Sequence, residues 1–116
     1  MECLNRIELI GYVTEIARVS ETSGGVKFAQ FKLMTRDVYV PARGGESKER
    51  TDYHYIVCYG GLANMATSLA NGEKVFIEGK QEHWYNKDEQ NRETKSSPVV
   101  CRTMVKMSHG SRNKEG

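Results

Sequence analysis

The chain has 116 residues, 38% of them hydrophobic and 28% charged, with a formal net charge of +2. That length holds one domain with one core rather than two ordinary domains, and no apolar run approaches the roughly 20 residues of a bilayer-spanning helix, so no membrane insertion is expected. So small a net charge does not by itself announce a polyanion-binding protein, and its distribution matters more.

In chain order, Leu4 to Thr14 reads as a strand, with Ile7, Leu9, Gly11 and Val13 alternating with Glu8, Ile10 and Tyr12. Gly11 in its middle predicts a sharp bend or a close backbone approach. Ser23-Gly24-Gly25 supplies a turn into a second long strand, Val26 to Tyr39, with Phe28, Phe31 and Leu33 as core candidates. The spacing of Phe28 and Phe31 demands a bulge near Ala29 or Gln30 if both face inward. Pro41 to Thr51 is a long polar hairpin loop with Gly44-Gly45 at its tip. Lys27 to Arg50 holds six basic residues (Lys27, Lys32, Arg36, Arg43, Lys48, Arg50) against Asp37, Glu46 and Glu49, which makes this region locally positive or a solvated mixed-charge hairpin.

Asp52 to Ala63, D-Y-H-Y-I-V-C-Y-G-G-L-A, is the most telling stretch. In a strand Tyr53, Tyr55, Val57 and Tyr59 share one face, while His54, Ile56 and Cys58 line the other and can serve a core. Three phenol rings pointing away from a core suggest a stacking surface. A single short helix follows, Leu62 to Ala70, in which Leu62, Met65, Ala66 and Leu69 keep helical spacing before the stop at Asn71-Gly72. Glu73 to Gly79 is the fourth strand, Lys87 to Asn91 a turn within a polar stretch, and Val99 to Met107 the last strand. Three strands, a helix and two strands, without internal repeat, is the order of an all-β, five-stranded OB-fold Greek-key barrel with its short helix between strands 3 and 4.

Cys3, Cys58 and Cys101 form no C-x-x-C pair, and His54, His83 and His109 are scattered. Reduced thiols are expected, Cys58 and Cys101 packed inside strands, with no metal site and no cofactor. No phosphate loop, no grouped carboxylates and no nucleophile with an evident base are present, so no enzyme is expected.

Beyond this order of elements, the chain resembles bacterial single-stranded DNA-binding proteins over about Leu4 to Met107. The likeness is carried by N-R-I-E-L-I-G at Asn5 to Gly11, T-D-Y-H-Y-I-V-C-Y-G-G-L-A at Thr51 to Ala63 and N-G-E-K-V-F-I-E-G at Asn71 to Gly79. It implies an OB-fold single-stranded DNA-binding domain over residues 1–107, while the polar run over residues 108–116 offers nothing to bury and is expected to be a disordered tail. It implies base stacking by Tyr39, Tyr53, Tyr59 and Trp84, joined by Tyr55 on the tyrosine face. Arg36, Lys48, Arg50, Lys74, Lys80 and Lys87 are the candidate phosphate contacts. His54 stands at a position that the resemblance turns toward a subunit interface, and Ile10 can join an apolar patch there.

The implied function is sequence-independent binding and protection of single-stranded DNA in replication, recombination and repair, by a homo-oligomer, a tetramer by family resemblance. The alternative is an interaction module of the primosomal type, in which partner binding dominates; the aromatics favour the first. Two departures stand out. Only Lys80-Gln81-Glu82-His83 separate Gly79 from Trp84, where the family commonly has six residues rich in cations, which predicts weaker and less salt-sensitive binding. The family's acidic C-terminal tip, which recruits replication and repair proteins, has no counterpart at Arg112 to Gly116. Met1 to Arg6 has neither a secretory h-region nor transit-peptide character, so a cytoplasmic, nucleoid-associated bacterial protein is expected.

Overall fold

Period-2 alternation governs the whole molecule. Along Ile7–Val13 (β1) it turns Gly11 and Val13 fully inward and leaves Glu8, Ile10 and Tyr12 outside. The structure, a computed structural model, describes residues 2–107; the tail expected over residues 108–116 lies outside them. After β1 come β2 (Arg18–Glu21), β3 (Lys27–Tyr39), β4 (Lys48–Tyr59), α1 (Gly61–Thr67), β5 (Lys74–Gln81), β6 (Trp84–Lys87), β7 (Glu93–Ser96) and β8 (Val99–Lys106).

Five of these strands close a barrel in the order β1-β5-β8-β4-β3, with β1 returning to pair with β3. All pairings are antiparallel except β4 with β8. Closure pairs the two outer strands of the five with each other, and with a single short helix the architecture is the OB-fold. Gly11 sits where β1 reaches β3, and a Cβ there would lie 2.2 Å from the Met34 carbonyl oxygen. The close approach expected at this glycine is therefore real. Gly79 occupies the equivalent tight spot against β8, 2.1 Å from the Val100 carbonyl, at the bulge between Glu78 and Gly79.

The core is one cluster that includes Val13, Phe31, Leu33, Ile56, Val75, Ile77 and Met104, with the thiols of Cys58 and Cys101 inside it. Helix α1 seals one end by burying Ala63 and Ala66, and Leu69 follows just past its last turn. The helix is shorter than the sequence suggests, and Met65, expected inward, is 38% exposed.

The sequence expectation of a bulge near Ala29 is not met. Pairing of β3 with β4 runs unbroken from Phe28↔Tyr59 to Tyr39↔Lys48, so Ala29, Phe31 and Leu33 share the core side. Phe28 takes the outer side and leans on Tyr59, ring centroids 5.8 Å apart. The small Ala29 takes the inward place assigned to Phe28. Two features escape a five-strand reading. Strand β2 is a short edge strand paired only to β3, and β6 with β7 forms a separate hairpin. The long polar hairpin loop also shrinks to residues 40–47, because β4 already starts at Lys48.

Candidate nucleic-acid interface

In paired strands, residues in register point to the same side, so the β3–β4 register sorts the candidate residues directly. One side of this ribbon carries Phe28/Tyr59, Gln30/Val57, Lys32/Tyr55, Met34/Tyr53 and Arg36/Thr51. The other carries Leu33/His54, Thr35/Asp52, Asp37/Arg50 and Tyr39/Lys48. Tyr53, Tyr55 and Tyr59 therefore share the outward face, as the alternation predicts. Tyr39, Lys48 and Arg50 lie together on the reverse face, so the structure does not bring Tyr39 into the row of the other tyrosines.

Strand neighbours extend the outward face sideways. Val57 continues through Val100 on β8 to Lys80 on β5, and Tyr53 continues through Met34 and Tyr12 on β1 to Lys74 on β5. Tyr53 is 61% exposed, whereas Tyr59 stands at 36% and Val57 is fully buried. Tyr55 is half-buried, and its hydroxyl donates to Gln30 Oε1. Apolar and aromatic surface on the outside of a closed barrel has no second core to serve. Flat rings of this kind accept any base, because every base has a π-face.

The cations follow the same partition. Arg36 lies on the tyrosine face, 3.8 Å from Glu49, and Lys80 at its margin, 3.2 Å from Glu82. Lys32, opposite Tyr55 and 3.8 Å from Glu15, belongs to this face too; sequence reasoning missed it, although hairpin parity with Tyr55 marks it. On the reverse face Arg50 binds Asp52 at 3.1 Å. Lys48 and Lys87 are exposed and carry no ion pair among the described residues. Exposed pairs of this kind contribute about 0–1 kcal/mol, so a phosphate can replace the carboxylate at small cost.

Trp84 is half-buried and tethered to the margin of this face: its indole Nε1 donates to Glu82 Oε1 at 2.8 Å, and Glu82 in turn holds Lys80. The indole hydrogen bond, with that of Lys80, draws the Glu82 carboxyl below its ordinary range. Tyr85, its neighbour, points to the opposite side of the hairpin and is 61% exposed. Sequence reasoning passed over Tyr85.

The interface candidates separate as well. His54 is held through Nε2 in a 2.9 Å hydrogen bond with Thr35 Oγ1 on the reverse side of the ribbon. Ile10 is half-exposed on the outer barrel wall, in a row with Phe76 and Val105. Among the described residues no group of three or more His, Cys, Asp or Glu side chains converges to hold a metal ion, and no helix is long and apolar enough to cross a membrane.

A barrel with this closure and an outward tyrosine row defines an OB-fold with an aromatic outer face. The chain belongs to the single-strand binding protein family, whose family model matches residues 4–108. It is 30% identical over 103 residues to single-stranded DNA-binding protein 1 of Chlorobaculum tepidum, which covers 87% of this chain but 63% of that protein. The chain thus spans somewhat less than two thirds of this curated relative. Among solved structures it is similar to a Plasmodium falciparum SSB in complex with ssDNA, with TM-score 0.84, 23% identity, and coverage of 93% of this chain and 98% of the other. It is also similar to a deletion mutant of the single-stranded DNA binding protein from Thermus aquaticus, with TM-score 0.79, 24% identity, and coverage of 94% of this chain and 53% of the other.

Proposed function

We propose that this chain binds single-stranded DNA without reading its sequence, as a homo-oligomer, and so protects exposed strands in replication, recombination and repair. The observation that carries this reading is the outward row of Tyr53, Tyr55 and Tyr59, bordered by Lys32, Arg36 and Lys80. Bases stack on the rings, each contact worth about 1–3 kcal/mol, a figure measured across proteins that hold single strands. Phosphates take the cations from their present carboxylate partners. Tyr53 leads the stacking residues because its ring is the most open of the three, and Trp84 extends the path at the margin. Tyr39, Lys48 and Arg50 serve where the strand wraps to the reverse of the β3–β4 ribbon, while Lys74 and Lys87 border the path.

Titration with oligo-dT tests this reading, followed by the fluorescence of the chain's single tryptophan. Quenching is expected, and the three cations of the tyrosine face alone give a slope of log K against log salt of about −2, which the cations along the rest of the path steepen. Tyr53→Ala with Tyr59→Ala should weaken binding by at least about tenfold. Unchanged affinity in a correctly folded double variant would sink the proposal.

A further inference from the structure

The β6–β7 hairpin has two chemically different sides. Trp84↔Ser96 and Asn86↔Thr94 occupy one, and Tyr85↔Lys95 and Lys87↔Glu93 the other. The Trp84 side holds no cation of the hairpin strands, and the indole leans toward the Glu82 carboxylate. The Tyr85 side holds an open ring, two lysines and one glutamate. Lys95 Nζ stands 5.9 Å from the Tyr85 ring centroid, a cation–π contact directly across the strand pair. Tyr85 itself is 61% exposed, so the ring stays accessible beside that ammonium.

We infer that Tyr85 with Lys95 and Lys87 forms a second stacking platform for single-stranded DNA, on the side of the hairpin away from Trp84. This rests on the function proposed above and adds a separate subsite to it. The chemistry matches one nucleotide. A base requires a flat, accessible ring, and its phosphate requires a cation within reach of that ring. An exposed tyrosine on a polar hairpin serves no core, and a strand that passes Trp84 reaches Tyr85 by turning over the hairpin edge. The hairpin then stands between two stretches of the strand, with a ring on each side.

The test uses the whole chain and an oligo-dT of about 16 nucleotides, the upper end of the site size for one such barrel. Tyr85→Ala should lose at least about fivefold in affinity, and Tyr85→Phe should keep wild-type affinity. Lys95→Gln should reduce the magnitude of the salt slope by about 0.7. Wild-type affinity within about twofold in Tyr85→Ala overturns the inference. A fall in oligomer mass with affinity retained also overturns it, by assigning the ring to contact with a second copy. If wild-type protein binds no oligo-dT at all, the parent reading fails with it, whereas loss confined to these variants supports the platform alone.

Discussion

Tyr53, Tyr55 and Tyr59 are one residue type on one strand face, yet their surroundings assign them different work. Tyr53 stands open beside Met34, Tyr55 is anchored through its hydroxyl to Gln30, and Tyr59 rests on Phe28. The alternation in D-Y-H-Y-I-V-C-Y makes their shared side readable from sequence, because period 2 is a property of the strand itself. Their differing exposure is not readable, since it depends on what the neighbouring strand places in register. A second case of one side chain organising its surroundings is Asp88 at the tip of the β6–β7 hairpin. Its Oδ1 accepts the backbone N–H groups of Gln90 and Arg92, and its Oδ2 accepts from Arg92 Nε at 3.0 Å. The Arg92 and Gln90 hydrogen bonds hold this carboxyl below the ordinary aspartate range. A folded-state value below the unfolded one contributes order above the unfolded value and loses it as pH falls through the folded value. The hairpin is therefore expected to stay ordered through the usual aspartate range and to loosen only at lower pH. Amide chemical shifts of Gln90 and Arg92 followed by NMR over an acid titration check this; Asp88→Ala should show the loosened spectrum already at neutral pH.

At the scale of elements, the joining of β1 to β3 that closes the barrel depends on a contact that tolerates no side chain. With a Cβ of Gly11 placed 2.2 Å from a backbone oxygen of β3, the strands have to separate. Gly11→Ala should cost about 3 kcal/mol, the upper end of overpacking penalties, read as a lower urea midpoint. Gly24→Ala is the control: its Cβ would meet only Thr22 Oγ1 at 3.9 Å, so its effect stays within about 0.5 kcal/mol. Equal midpoints for the two variants would contradict the closure argument. The same scale shows where sequence reading stops. The five barrel strands and the helix carry their own periodicity and punctuation, and so were legible. Strand β2, R-V-S-E, holds one apolar residue and exists through its pairing with β3. Side-chain size places Phe28 in the core, whereas the unbroken β3–β4 register fixes it on the outer side. The same register separates Tyr39 from Tyr53, which neither residue type nor motif spacing reveals, and the β6–β7 pairing turns Tyr85 away from Trp84.

At the scale of the whole molecule, the outer wall formed by β1, β5 and β8 bears on assembly. Ile10, Phe76 and Val105 form a continuous row across β1, β5 and β8, with Ile10 51% and Val105 49% exposed. Glu8, Glu78 and Thr103 border it in the next row, with Arg6 and Arg102 paired to the two glutamates. An apolar strip with a charged rim is the usual anatomy of a protein interface, and it lends support to Ile10, rather than His54, as the anchor of a homo-oligomer. His54 already spends its Nε2 on Thr35 within its own chain. An aspartate in place of Ile10 would have to bury an unpaired carboxylate in any assembly built on this row, which is strongly unfavourable. In a monomer the same aspartate faces water and leaves the barrel intact. Ile10→Asp is therefore expected to lower the mass measured by light scattering while circular dichroism stays that of the wild type. It should also weaken binding to long poly-dT more than to short oligomers, because linked barrels hold one strand at several places and separate ones do not. A variant that keeps both wild-type mass and wild-type preference for long strands would remove this row from the assembly and leave the tyrosine face untouched.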